Sequence, residues 1–80
     1  MYLSIIDAKP LEDYKLLLTF DNNEKRIFNM TPYLGKGIFT ELKDLKTFSS
    51  VRVDFDSISW SNGADLDPEI LYEDSLPLNS

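Results

Sequence analysis

The chain is 80 residues long, carries 14 acids against 8 bases, and contains neither cysteine nor histidine. That length makes one domain, spanning residues 1–80, and the missing residue types exclude disulfides, haem ligation and the usual zinc sites. A net charge of −6 argues against binding nucleic-acid phosphates or anionic membranes, both of which call for a positive surface, and suits a small basic partner.

A hydrophobic fraction of 42% with five Phe, four Tyr and one Trp suits a folded core. No apolar run approaches the length of a membrane span. The opening "MYLSIIDAKP" lacks the basic start and long apolar stretch of a signal peptide, so the expected location is the cytoplasm.

In chain order, Leu3 to Lys9 reads as a first strand stopped by Pro10, and "LEDY" turns the chain. "YKLLLTF" is the clearest strand: Tyr14, Leu16, Leu18 and Phe20 share one wholly apolar face. Asp21 to Glu24 forms a hairpin, with Asn22 and Asn23 expected in a tight primed turn. "KRIFNM" returns with Arg26, Phe28 and Met30 on one side. On the other side, Leu17 and Ile27 make a small apolar patch that a helix or a second subunit could cover.

"TPYL" fits a short helical turn with Thr31 as cap and Pro32 at its first position. Between about 38 and 49, Phe39, Leu42, Leu45 and Phe48 recur every third residue, which predicts one or two short helices with one apolar side. "VRVDF" alternates, with Val51, Val53 and Phe55 expected inward, and "SISW" carries the alternation on to Ile58 and Trp60. Asn62-Gly63 marks a turn. Asp67, Pro68 and Glu69 are a cap, a first position and a first-turn acid, so a short helix follows, and "LPLNS" is a tail. Short connections imply antiparallel pairing. The expected fold is α+β, an antiparallel meander of about five strands with short helices on one face or edge.

Few groups here can do chemistry. There is no histidine base and no cysteine nucleophile, and no serine sits in a nucleophile elbow. Asp54 and Asp56, two apart on one expected strand, are the nearest thing to a catalytic carboxylate pair, and their bland reading is two solvated acids beside Arg52. Asp65, Asp67 and Glu69 alternate like the opening of a calcium loop, but Ile70 and Leu76 stand where that loop needs glycine and glutamate. "LGKG" is too short for a phosphate loop, and Lys36, Lys43 and Lys46 have Glu41 and Asp44 among them. No enzyme activity, metal or cofactor is expected. The partner-surface candidates are Trp60, Asn62, Gly63, Asp65, Asp67 and Tyr72, because Trp and Tyr are favoured at binding hot spots. Alternation also assigns Trp60 to the core, and turn geometry alone accounts for Asn62 and Gly63.

"VRVDFDSISWSNGADLDPEILYEDS" resembles the C-terminal signature of a bacterial family, domain of unknown function 2442. There a V-x-V-D-like strand leads to a tryptophan and then to N-G-A-D-L-x-P-E-x-L-Y. "YKLLLTFDNNEKRIFNMTPYLGKGIFTELKD" is similar to its N-terminal part, with the segment YL-x-K-G-x-F-x-x-L. The likeness covers nearly the whole chain. Asn22-Asn23 stands where the family usually has a glycine, and Ser61 where it often has a proline; both are turn positions. The resemblance implies a small α+β bacterial protein with no established activity. It also implies a neighbouring gene for another small protein, in an arrangement similar to toxin–antitoxin pairs. Longer relatives add a helix-turn-helix beyond the position of Ser80, so DNA binding by that route is not expected here. The leading expectation is an interaction module, the acidic member of such a pair. The rival is a small-ligand or carboxylate-based catalytic domain using Asp54, Asp56 or Asp65. Self-association as a homodimer through the Leu17/Ile27 face would also be permitted.

Overall fold

Two antiparallel sheets share the core of the computed structural model, which describes residues 3–78. The strands are β1 (Ile5–Leu11), β2 (Lys15–Phe20), β3 (Lys25–Asn29), β4 (Arg52–Asp54), β5 (Ser57–Ser59), β6 (Asp65–Leu66) and β7 (Leu76–Pro77). One sheet runs β1-β2-β3-β7 and the other β4-β5-β6. Two short α-helices, α1 (Leu45–Phe48) and α2 (Pro68–Glu73), and three 3₁₀ segments complete the elements of the described residues. The class is α+β, as expected. The single meander divides into two sheets, with two strands more than predicted. No described helix is long and apolar enough to cross a membrane.

The alternation in β2 does what its spacing demands. Leu16, Leu18 and Phe20 are fully buried, and β3 adds Phe28, with Met30 beyond its end. Leu42, Phe48, Ile58, Trp60 and Leu71 pack in the same core. Each such side chain contributes about 1.5–3 kcal/mol by leaving water.

Two of the hairpins, β2–β3 and β5–β6, use one turn design. Asn23 N–H donates to the Phe20 carbonyl at 2.9 Å, and Phe20 N–H to that of Glu24 at 2.9 Å. In the second, Gly63 N–H donates to Trp60 at 3.0 Å, and Trp60 N–H to Ala64 at 2.9 Å. The middle asparagine does the same work in each: Asn22 Oδ1 accepts from Glu24 N–H at 2.9 Å, Asn62 Oδ1 from Ala64 N–H at 3.0 Å. Only the fourth residue is left-handed, Asn23 at φ 70° and Gly63 at φ 91°. This is a turn closed by a bulge rather than the expected primed pair, which would need positive φ at two successive residues.

Other expectations need correction. β1 runs through Pro10 instead of stopping there, because β1 ends its sheet and an end strand can spare one N–H. Thr31 caps nothing; it is the first helical residue, and its N–H is met by Asn29 Oδ1 at 3.0 Å. Leu45 is 63% exposed, off the predicted apolar side. The "tail" supplies β7, which pairs with β3, while Asn79 and Ser80 lie outside the described residues. Only Val51 of the trio Val51, Val53 and Phe55 packs against the core.

Candidate functional site

The β4–β5 hairpin turns on two residues. Arg52, Val53 and Asp54 pair with Ser59, Ile58 and Ser57, leaving Phe55 and Asp56 at the tip. Phe55 has φ 58°, and Asp56 is not among the positive-φ residues. A two-residue turn with positive φ at its first position is the kind that normally takes glycine there. A phenylalanine held in that conformation costs roughly 1–2 kcal/mol. The turn is held where it is, since Ile5 N–H of β1 donates to the Asp56 carbonyl at 3.0 Å. The ring is 95% exposed.

Beside the tip is an open notch of about 330 Å³, lined among others by Asp54, Phe55, Ser57, Asp65, Asp67 and Pro68, with no lysine or arginine in its lining. Each carboxylate has a structural reason for its position. Asp54 ends β4, Asp65 pairs with Ser59 in the second sheet, and Asp67 caps α2 by accepting from Glu69 N–H at 2.9 Å. The Ser57 hydroxyl donates to the Leu66 carbonyl and ties β5 to β6. Among the described residues no three carboxylates gather closely enough to hold a metal ion. Asp56 sits in the turn, so it does not continue Asp54's strand face as a spacing of two had suggested.

The predicted surface residues separate. Asp65 and Asp67 share the notch. Trp60 is 1% exposed and belongs to the interior, its Nε1–H donating to the Phe48 carbonyl at 3.0 Å. That corrects its place among surface candidates in favour of the core role that alternation assigned it. Asn62 is half-buried, with Nδ2 donating to Glu41 Oε1 at 2.9 Å, and Gly63 serves the turn. Phe55 was missed because it continues an alternating run, and no glycine or asparagine marks the turn.

Tyr72 lies in a separate latch. Its hydroxyl donates to Glu24 Oε1 at 2.9 Å, its ring meets Phe20 edge-on at 5.1 Å, and the Arg26 guanidinium lies 4.3 Å from its centroid. Arg26 also donates to Glu24 Oε2 at 2.5 Å, to Ser75 Oγ at 2.7 Å and to the Ser75 carbonyl at 2.7 Å. The latch therefore joins β3 to the segment after α2.

Hydrogen bonds from Arg26, Tyr72 and Asn22 hold the Glu24 carboxyl below its ordinary value of about 4.5. The bond to Glu24, reinforced by burial, pushes the Tyr72 hydroxyl above 10.0. Burial and a 2.8 Å bond to Asp74 do the same for Tyr33. The stability owed to ionised Glu24 is thus full above about 4.5 and lost as pH falls through its lowered value. That owed to the neutral tyrosines is full below about 10 and lost as pH rises through their raised values. Urea midpoints measured against pH should fall at both ends, with a shallower acid limb in Glu24→Gln. Identical acid limbs would remove Glu24 from the account.

A family model described as a protein of unknown function (DUF2442) matches residues 5–76, from the first residue of β1 to the first of β7. The chain belongs to the DUF2442 family. No curated protein and no solved structure matches it. The DUF2442 match takes in both sheets, the Phe55 hairpin and the latch.

Proposed function

We propose that this DUF2442 chain is a non-enzymatic interaction module. It works in the bacterial cytoplasm as the acidic member of an antitoxin-like pair and receives a small basic protein. The observation that carries the reading is Phe55, an aromatic ring 95% exposed at the tip of a strained turn. Strained backbone persists only where the surrounding structure enforces it, and it concentrates at binding sites. A free aromatic ring brings about 150–250 Å² of area to an interface, enough for a hot spot. Asp54, Asp65 and Asp67 around the notch suit a lysine or arginine beside an apolar residue.

Phe55→Gly separates stability from binding. Glycine suits φ 58°, so the variant should gain about 1 kcal/mol of stability. Loss of the ring should weaken partner binding by roughly thirtyfold, equivalent to about 2 kcal/mol. The test is affinity capture from host extract with wild type and Phe55→Gly side by side, at low and high salt. A stoichiometric basic protein held by the wild type, lost by the variant and released by salt, supports the reading. Equal retention by both proteins, or no such protein, sinks it.

A further inference from the structure

A second surface, of opposite charge, lies on the outer face of the four-stranded sheet. The register aligns Lys9, Leu17, Ile27 and Leu76 in one row across all four strands. Asp7, Thr19 and Lys25 form the row on one side, and Leu11, Lys15 and Asn29 the row on the other. These residues alternate with buried Leu16, Leu18 and Phe28, so they point away from the core. Leu17 and Ile27 are half-buried at the middle of this face, and Thr19, between Asp7 and Lys25, is buried at 8% exposure. Leu17 and Ile27 take no part in the core cluster, Leu76 is 72% exposed, and Leu11 is exposed as well. The face sets three lysines against one carboxylate, on a chain whose net charge is −6.

We propose that this face docks an amphipathic, acidic α-helix of a partner protein. Its apolar ridge rests on Leu17, Ile27 and Leu76, and its carboxylates reach Lys9, Lys15 and Lys25. The occupant follows from charge. A second copy placed face to face would oppose lysine with lysine, and an anionic membrane would meet a chain that is negative overall. The element follows from packing, since the second face of a sheet is commonly covered by helices. The row crosses four strands set about 4.7–4.9 Å apart, roughly 14 Å in all, the length of a helix of about ten residues. This surface does not include the Phe55 hairpin, so it goes beyond the preceding reading and stands without it.

The experiment is an NMR titration of the labelled protein with a synthetic helix-forming peptide bearing leucines on one side and glutamates beside them. The expected result is saturable shifts confined to β1, β2, β3 and β7. Binding should weaken at least about tenfold in Leu17→Thr/Ile27→Thr and weaken in high salt, but stay unchanged in Phe55→Gly. Threonine suits an exposed strand position; should the double variant fail to fold, Lys9→Gln/Lys25→Gln gives the same comparison. No saturation, equal binding of a peptide with lysines in place of the glutamates, or tighter binding to phosphatidylserine vesicles would overturn the proposal. So would a dimer in sedimentation that buries these rows.

Discussion

Trp60→Ala should leave the chain unfolded, or nearly so, in the absence of denaturant. Removing a large buried aromatic typically costs about 3–5 kcal/mol. Here the indole also donates to the Phe48 carbonyl, which would keep only a long 3.4 Å bond from Val51 N–H. An under-satisfied buried acceptor adds about 1–3 kcal/mol. Chains of this size have roughly 4–12 kcal/mol in total. Trp60→Phe keeps much of the apolar volume and loses the N–H, so it should fold with a loss of about 1–3 kcal/mol. Urea midpoints at constant slope read both. A cooperative transition for Trp60→Ala within about 1 kcal/mol of wild type would show that the core refills the space.

Arg26→Met should be the most damaging change among the charged residues, at about 2–4 kcal/mol. Methionine keeps part of the stem's packing but abandons Glu24, both Ser75 acceptors and the Tyr72 face together. Ser75 is buried, so its carbonyl finds little water in exchange. β7 and the residues after α2 depend on this side chain. Hydrogen exchange should therefore quicken first at Leu76 and Leu78, and later across β2. Uniform quickening would mean that the latch supports the whole fold rather than its end.

The parts of this fold legible in the sequence are those whose causes are local. β2 and the place of its turn, though not the turn's type, follow from alternation and two asparagines, and α2 from Asp67-Pro68-Glu69, which cap and start it as the residue types require. The every-third-residue apolar spacing from Phe39 fails at Leu45 because Asp44 is extended, ψ 117°, while capping α1. That break shifts the helical phase and turns Leu45 outward. β6 and β7 are two residues long, too short to show a period. The Arg26 latch joins residues 49 apart, which no local pattern announces. Phe55 is the instructive failure. Its neighbours alternate like a strand, and what makes the turn is pairing across Asp54 and Ser57 together with a hydrogen bond from β1.

Pro10 and Pro77 occupy the two outermost strands of the larger sheet. Each withholds an N–H from any chain that might add itself there, which makes both borders poor templates for fibrillar growth. A small domain of modest stability visits open states often, and in a crowded cell those visits are when aggregation begins. Two imino acids, unremarkable as structure formers, thus help to keep the protein dispersed.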